Sequence, residues 1–386
     1  MTTDSITLDP PGALTVYRHK AMASDFEVAL NETSDNFGAD AALDALDEVD
    51  RIEEVLSIFR PTSAVSRINL LASEINVRVD DELWNWIQTS IRLGKETEGA
   101  FDVASAPLWR AWGFADRDGE FPSDDVLERA LAKSGVRLLR LDDAAQTIAF
   151  KEEGVELNFG AIGKGFALDA AAKKLEEKGV CDFLIQGGKS GVVARGRRLN
   201  DFQPTPSDSA PVQADNDEEI DEESGLPKRT AKVDVDALTP KIFRRDEAFI
   251  AAKERENREE GWTIGLAHPL APEKRLGQIW LRDQALATSG STYQFFRSGG
   301  KRYSHIIDPR TGRPSVGVLS TTVLASTATE SDALSTAFFV MGVEKIEEFC
   351  DKRKDVGVIV VIERPTSPGY EIKTFNLDGS VFVQNK

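Results

Sequence analysis

The chain has 386 residues, 41% hydrophobic and 29% charged, enough to form a sizeable core in one large domain or two smaller ones. Its formal net charge of -18 and pI near 4.8 disfavour binding to nucleic acid or anionic lipid, because both partners require a basic face. Cys181 and Cys350 form neither a disulfide framework nor a metal-ligand spacing, so we expect both to be buried and structural.

The N-terminal segment carries no recognisable export signal. A basic start followed by an apolar stretch is missing, and no later segment reaches the roughly 18 apolar residues of a membrane span. We expect a flexible terminus over residues 1–14 and a cytoplasmic protein without an integral membrane segment.

Strand and helix patterns follow one another in the first half of the chain. Alternating apolar residues end the stretch 17–30, and apolar residues recur at helical spacing over 40–59. A second helix is predicted to close at Gly99. Residues 148–179 predict a hairpin, a glycine-rich turn and a helix closed by Gly179, and "DFLIQGGKSGVVARG" predicts two strands joined by a glycine turn.

The composition changes between about Leu199 and Glu260. Its "DNDEEIDEES" stretch places seven acids in ten residues, among prolines and few aromatics. Such a segment cannot bury enough apolar surface to offset its chain entropy. We interpret 199–260 as an acidic, largely disordered insertion, with a folded subdomain as the alternative.

Strands and a helix return after the insertion, including "GWTIGLAHP", "ESDALSTAFFVMG" and "VGVIVVIE". Interleaved helices and close strand pairs favour an α+β fold with a mixed or antiparallel sheet over a doubly wound parallel sheet. We expect one domain over 15–386.

The segment "TATESDALSTAFFVMG" is the first candidate site. Thr329 or Ser331 is expected to cap the helix, and Asp332 and Thr336 project from one face four residues apart. A carboxylate and a hydroxyl placed in this way can hold a hard divalent cation. The alternative is that Asp332 only complements the helix dipole.

"LNFGAIGKGFALD" is the second candidate. Gly160, Gly163 and Gly165 allow backbone amides to approach an anion at a helix start, and Lys164 adds a positive charge. The spacing fits neither a Walker A loop nor GxGxxG. Glycines at this position can instead serve close packing alone.

Two further segments have open interpretations. "GAFDVASAPLWRAWGF" carries Trp109, Trp112 and Phe114, for most of which packing in the core is the expected role. "ALATSGSTYQFF" forms either a loop around a polar ligand or a serine-rich turn.

Eight motifs follow one another along the chain: "MASDFEVAL", "LSIFRPTSAVSRIN", "GAFDVASAPLWRAWGF", "LNFGAIGKGFALD", "IQGGKSGVVARG", "ALATSGSTYQFF", "YSHIIDPRTGRP" and "SDALSTAFFVMG". In this order they resemble the FAD:protein FMN transferase family, the ApbE-type flavin transferases. The resemblance implies a single ApbE-like, T-fold-like domain. It also implies Mg²⁺-dependent cleavage of the FAD pyrophosphate, transfer of FMN through a phosphoester to a Thr or Ser of an acceptor flavoprotein, and release of AMP.

The resemblance also assigns residues. Positions matching the family's flavin contacts are Met22, Phe59, Ala100, Phe101, Asp102, Asn158, Lys164 and Ile306. Positions matching the metal site are Ala161 through its carbonyl, Asp332, Thr336 and Ser335, the last where some members have an aspartate. His305 is expected near the reacting phosphates, or alternatively as a structural cap of the turn that follows.

The chain departs from the family pattern at several positions. Asn158 replaces a common acid, and "MAS" at 22–24 replaces the usual "MGT". Many relatives are exported lipoproteins, whereas no export signal is visible here. The alternatives to a transferase are an FAD-binding protein without transfer activity and a metal-dependent FAD pyrophosphatase.

Overall fold

The computed structural model describes residues 14–31, 37–114, 121–198, 261–290, 295–298, 301–364, 369–377, 379 and 381–385. The predicted insertion 199–260 and most of the predicted flexible terminus lie outside these residues. The boundary at residue 14 is corrected, because Leu14 already pairs with Asn31 in the first strand.

The described strands and helices alternate along the chain as the α+β prediction requires. The strands are β1 (Leu14–Ala21), β2 (Ser24–Asn31), β3 (Val77–Arg78), β4 (Leu139–Asp142), β5 (Thr147–Phe150), β6 (Phe183–Gly187), β7 (Gly191–Arg195), β8 (Trp262–His268), β9 (Ala271–Leu281), β10 (Gln284–Gly290), β11 (Phe295–Ser298), β12 (Lys301–Ser304), β13 (Ile307–Asp308), β14 (Arg313–Pro314), β15 (Val318–Ala325), β16 (Gly357–Glu363), β17 (Tyr370–Phe375) and β18 (Phe382–Gln384). The helices are α1 (Phe37–Leu56), α2 (Ala64–Leu71), α3 (Asp81–Glu96), α4 (Ala106–Ala111), α5 (Asp124–Ala132), α6 (Gly163–Glu177), α7 (Ala328–Met341) and α8 (Val343–Lys352).

An eight-stranded antiparallel sheet in the order β1-β2-β6-β7-β10-β15-β16-β17 organises the fold. Successive side chains of a strand point to opposite faces. Phe183 and Ile185 of β6 therefore join the core under the helices, while Leu184 joins the core on the other face. The sheet is buried on both sides, and the α+β prediction is confirmed.

Helices α1, α6 and α7 cover one face of the sheet, and α6 packs against both other helices. A small sheet of β8, β9 and β18 covers the opposite face, with Trp262, Ile279 and Phe382 buried against it. The residues on either side of the predicted insertion thus belong to different layers, the large sheet through β7 and the small sheet through β8.

The predicted hairpin at the start of 148–179 is wrong in part. β5 pairs with β3 and β4, but residues 151–162 form no strand. The backbone of Leu157 is satisfied by a side chain instead: its N–H donates to Asn69 Oδ1 at 2.8 Å, and Asn69 Nδ2 donates to its carbonyl at 2.9 Å. Because the amide group replaces a neighbouring strand, this segment stays irregular up to the start of α6.

The expectation for the cysteines holds for one of the two. Cys350 is buried, and burial raises the pKa of its thiol to about 12. Cys181 is exposed, so the prediction that it is buried is wrong. It lies in the short connection between α6 and β6, where the chain passes over the surface. None of the described helices is long and apolar enough to cross a membrane.

The turn between β1 and β2 consists of Met22 and Ala23, and both have positive φ, 50° and 53°. A left-handed conformation costs an L-residue about 1–2 kcal/mol, and two-residue hairpin turns of this type favour glycine. We expect Ala23→Gly to stabilise the protein by up to about 1 kcal/mol, after the entropy that glycine adds to the unfolded chain. Urea unfolding measures the change. Ala21→Gly, within the buried end of β1, is the control and should destabilise.

The two ends of the predicted insertion are joined by a direct contact. Trp262 Nε1 donates to the carbonyl of Arg195 at 2.9 Å, and Trp262 is fully buried. The residues just before and just after 199–260 are therefore held together by the folded part of the chain.

Replacement of residues 199–260 by a short Gly-Ser linker is expected to leave the melting temperature within a few degrees of the parent. Loop closure costs rise only slowly with length, and the contact between Trp262 and Arg195 remains. Calorimetry tests this expectation, with Trp262→Phe in the full chain showing what loss of the contact itself costs. A large drop in melting temperature on deletion would mean that the insertion packs on the domain.

Candidate functional site

The candidate site lies at one end of the strands of the large sheet. The β1–β2 turn, the β6–β7 turn, the end of β10 and the start of β15 all meet there, because neighbouring strands are antiparallel. Gly188 N–H donates to the Asp25 carbonyl at 2.7 Å, and Thr288 N–H donates to the Ser190 carbonyl at 2.7 Å. These bonds tie the β6–β7 turn to the start of β2 on one side and to β10 on the other.

The two helices touch through their backbones at Gly165. A Cβ atom at this position would lie 2.6 Å from the Ala328 carbonyl oxygen and 2.7 Å from Thr329 Cα. Gly165 N–H, in the first turn of α6, donates to Asp332 Oδ2 of α7 at 3.1 Å. Close packing is thus one role of this glycine, and its amide also serves as a donor at the site.

Asp332 is a buried carboxylate, 8% exposed. Burial raises its pKa, as does the nearby charge of Asp169, while the charge of Lys164 has the opposite effect. Asp332 complements the N-terminus of α6 and not that of its own helix. The alternative that it complements the dipole of its own helix is therefore wrong, as is the cap prediction, because Thr327 caps α7 by accepting from Glu330 N–H at 3.2 Å.

Three hydroxyl groups lie together beside Asp332. Ser289 Oγ, at the end of β10, is 2.8 Å from Ser335 Oγ and 3.1 Å from Thr336 Oγ1. Ser335 also donates to the Asp332 carbonyl at 2.9 Å. The structure thus places the Ser335 and Thr336 hydroxyls at the backbone carbonyl of Asp332, one turn along α7, and adds Ser289, from a segment interpreted as either a binding loop or a serine-rich turn.

The oxygen-rich character of this site suits a hard cation. Within the part of the chain that the structure describes, no group of three or more His, Cys, Asp or Glu side chains could hold a metal. Ligands would therefore have to include hydroxyl and carbonyl oxygens, the type that Mg²⁺ accepts alongside one or two carboxylates. Ala161 lies four residues before Gly165, in the turn that leads into α6, and Lys164 lies between them in sequence.

Two predicted flavin contacts are core side chains. Ala100 and Phe101 are 1% and 3% exposed, so a ligand at this loop would meet their backbone. Both oxygens of Asp102 are engaged, accepting from Ala104 N–H at 2.8 Å and Val136 N–H at 3.0 Å, and burial raises its pKa.

Asn158 connects this loop to the start of α6. Its N–H donates to the Val103 carbonyl at 2.8 Å, and its side-chain oxygen accepts from Gly160 N–H at 2.8 Å. The Asn158 amide group therefore shapes the turn that leads to Ala161 and Lys164.

The segment from His305 to Gly312 folds as the predicted turn. Gly312 N–H donates to the Asp308 carbonyl at 2.8 Å, and the Gly312 carbonyl accepts from the buried Trp112 Nε1 at 2.7 Å. Ile306 is 7% exposed and belongs to the main core, whereas His305 beside it is half-buried. Trp112 is a core aromatic, as expected, and it holds this turn in place.

The remaining flavin candidates lie at the surface of the site. Met22 is half-buried in the β1–β2 turn. Phe59 follows α1 and is 74% exposed, so most of its ring surface is open to a stacking partner. Leu56, three residues earlier, would contact a Cβ atom at Gly163 at 3.4 Å, which places this loop near the start of α6.

Asp169 was not singled out from the sequence. Its Oδ1 accepts from Ala328 N–H at 2.7 Å, and its Oδ2 accepts from Thr329 N–H at 2.9 Å and from Thr329 Oγ1 at 2.6 Å. The only available signal was its place as the last residue of "LNFGAIGKGFALD", four positions after Gly165 and on the same helical face.

The chain is similar in sequence to the ApbE family and to enzymes named FAD:protein FMN transferase. A family model described as the ApbE family matches residues 19–206 and 248–360, and the unmatched segment between them falls inside the predicted insertion. The FAD:protein FMN transferase of Vibrio cholerae is 28% identical over 307 residues, which cover 77% of this chain and 73% of that protein. The enzyme of the same name from Escherichia coli K12 is 25% identical over 334 residues, covering 85% and 77%.

Two solved structures share the fold. The ApbE protein of Thermotoga maritima superposes with a TM-score of 0.70 at 24% identity, covering 93% of this chain and 96% of that one. The flavin transferase ApbE of Vibrio cholerae gives a TM-score of 0.68 at 22% identity, covering 95% and 98%.

Proposed function

The chain belongs to the ApbE family, and on that basis we propose that it is a Mg²⁺-dependent FAD:protein FMN transferase. It would cleave the pyrophosphate of FAD, attach FMN through a phosphoester to a Thr or Ser of an acceptor flavoprotein, and release AMP. Relatives carrying this enzyme name across several species support the assignment.

The observation that carries the proposal is the buried carboxylate of Asp332. It lies at the N-terminus of α6, near oxygen atoms that could act as cation ligands. No ion pair with a Lys, Arg or His involves Asp332 among the described residues. A buried charge in this state opposes folding unless something compensates it. A divalent cation shared with a substrate phosphate would supply that compensation.

Asp332, Thr336 and the Ala161 carbonyl would hold the cation, with Ser289 hydrogen-bonded to the Thr336 hydroxyl and also to that of Ser335. When bound, Mg²⁺ supplies neutralisation of the negative charge on the pyrophosphate. The protein's own positive charge acts on the same group: Lys164 and the positive end of the α6 dipole favour an anion at this position.

The chain's residues would then orient FAD and move one proton. The Phe59 ring stacks on the flavin, with Met22 as a second apolar contact. The acceptor hydroxyl oxygen bonds to the FMN phosphorus, the bond from that phosphorus to the AMP oxygen breaks, and His305 takes the hydroxyl proton. Positioning and electrostatics account for most of the rate in such a reaction.

Incubation of the purified protein with FAD and Mg²⁺, with and without a peptide bearing a Ser/Thr-Gly-Ala-Thr run, tests the proposal. Mass spectrometry measures FMN addition to the peptide, and chromatography measures AMP. Equal amounts of AMP and modified peptide, lost on adding EDTA, are the expected result. AMP and free FMN without modified peptide would instead indicate a pyrophosphatase, and FAD binding without AMP would indicate a flavin-binding protein.

A further inference from the structure

We propose that Asp169 is a positioning residue: its carboxylate fixes the first turn of α7 against α6 and so holds Asp332 opposite the Gly165 amide. The inference deepens the proposed function and rests on it for the role of Asp332. Asp169 is distinct from the residues assigned to FAD or the cation.

The contacts of Asp169 show what it holds. Its two oxygens accept three hydrogen bonds, all from Ala328 and Thr329, and none of the three comes from its own helix. Ala328 and Thr329 begin α7, where backbone amides lack partners within the helix. Asp169, which belongs to α6, therefore caps the N-terminus of α7, and Thr327 is the N-cap residue of α7 itself.

Asp169 and Gly165 act on the same two residues. They are one helical turn apart on α6, and the glycine allows the backbone of Ala328 and Thr329 to approach within the distances that a methyl group would block. We call these four residues the α6–α7 junction. Gly165 sets how close the helices come, and Asp169 sets the rotation and axial position of α7.

The junction controls the site through the helix itself. Thr329, Asp332 and Thr336 lie three and four residues apart, so they share one face of α7. A small rotation at Thr329 displaces the Asp332 carboxylate and the Thr336 hydroxyl together, and a misplacement of about 1 Å at a reacting site can cost about 100-fold in rate.

A carboxylate suits this role better than an amide. Both oxygens of Asp169 accept, so asparagine would turn its NH₂ group toward N–H or O–H donors and leave one of them unpaired. The negative charge also complements the positive end of the α7 dipole. Asp169→Asn should thus loosen the junction without changing side-chain volume.

The test uses the full-length chain and two matched variants. Asp80 is the control, because it also caps a helix, accepting from Leu83 N–H at 2.8 Å at the start of α3, and among the described residues it makes no hydrogen bond to the junction. Mn²⁺ affinity in the presence of FAD, measured by electron paramagnetic resonance, and AMP release are compared with amide exchange at Gly165 and residues 328–332.

Asp169→Asn is expected to weaken Mn²⁺ binding at least tenfold, to lower kcat more than it changes KM for FAD, and to speed amide exchange at Gly165. Asp80→Asn should keep the parental values for all three, even if its melting temperature falls by as much. A folded Asp169→Asn variant with parental Mn²⁺ affinity and parental Gly165 exchange would overturn the proposal.

A second pair of variants keeps the test decisive if Asp169→Asn fails to fold. Thr329→Val removes one of the three bonds to Asp169, whereas Thr329→Ser retains the hydroxyl. Valine should produce a partial loss and serine should restore parental values; equal behaviour of the two would contradict the proposal. If the parent itself neither binds Mn²⁺ nor releases AMP, the proposed function fails, and Gly165 exchange in these variants still decides whether Asp169 holds the junction.

Discussion

Asp332→Asn is expected to abolish Mg²⁺-dependent release of AMP while the chain remains folded. Asp332 is the one carboxylate assigned to the cation; Thr336 offers a hydroxyl and Ala161 a carbonyl. Mg²⁺ in proteins relies on one or two carboxylates together with substrate phosphates, so the loss of this group removes the main charge that binds it.

The same substitution should not destabilise the metal-free protein at neutral pH. Burial raises the pKa of Asp332 above its value in the unfolded chain, so the ionised carboxylate favours unfolding. Because the folded pKa is the higher of the two, this group's contribution to stability falls as pH rises from the unfolded pKa through the folded pKa. Asparagine removes that cost and can still accept from Gly165 N–H.

Thermal melting over a Mg²⁺ titration with FAD present separates the two effects. Mg²⁺ should raise the melting temperature of the parent and leave that of Asp332→Asn unchanged, because only a state that binds the ligand is stabilised by it. Asp44→Asn is the control; Asp44 pairs with Lys178 on the surface of α1 and should keep parental turnover. A folded Asp332→Asn variant with parental AMP release and Mg²⁺ dependence would refute the metal-site assignment.

Local patterns predicted those parts of the fold that depend on neighbouring residues. The helix ending before Gly99, the β6–β7 hairpin and helix α7 all follow from apolar spacing and glycine turns. The absence of a strand over residues 151–162 could not be predicted in this way. Within this segment the N–H and carbonyl of Leu157 pair with Asn69, 88 positions away in sequence, and no spacing rule indicates such a partner.

The same distinction separates the residues of the candidate site that were predictable from those that were not. Asp332, Ser335 and Thr336 are close in sequence and share a helix, so their proximity was predictable once the segment was expected to be helical. Asp169 and Ser289 reach α7 from other elements, 160 and 46 residues away. A serine in a polar loop and an aspartate within a helix have many ordinary surface roles, so only tertiary structure identifies these two.

Substitution of Gly165 by alanine is the other change expected to have a large effect on stability and activity. Gly163, two residues earlier in the same helix, provides a matched control. At Gly163 an added Cβ would meet Leu56 Cδ1 at 3.4 Å and Phe159 Cβ at 3.7 Å, which is ordinary contact. Gly163→Ala should therefore be neutral or slightly stabilising, because alanine is the better helix former by up to about 1 kcal/mol.

Gly165→Ala is expected to reverse that sign. Its Cβ would lie 2.6–2.8 Å from three backbone atoms of Ala328 and Thr329, and backbone cannot move aside as a flexible side chain can. The helices must separate, which costs about 1–3 kcal/mol for overpacking and strains the bonds from Asp169 to α7. Since Asp332 moves with α7, AMP release should fall by about 100-fold or more, in line with the cost of a misplacement near 1 Å. Urea unfolding and AMP release of the two alanine variants provide the measurement; a Gly165→Ala protein as stable and active as the parent would show that the α6–α7 contact is not tight.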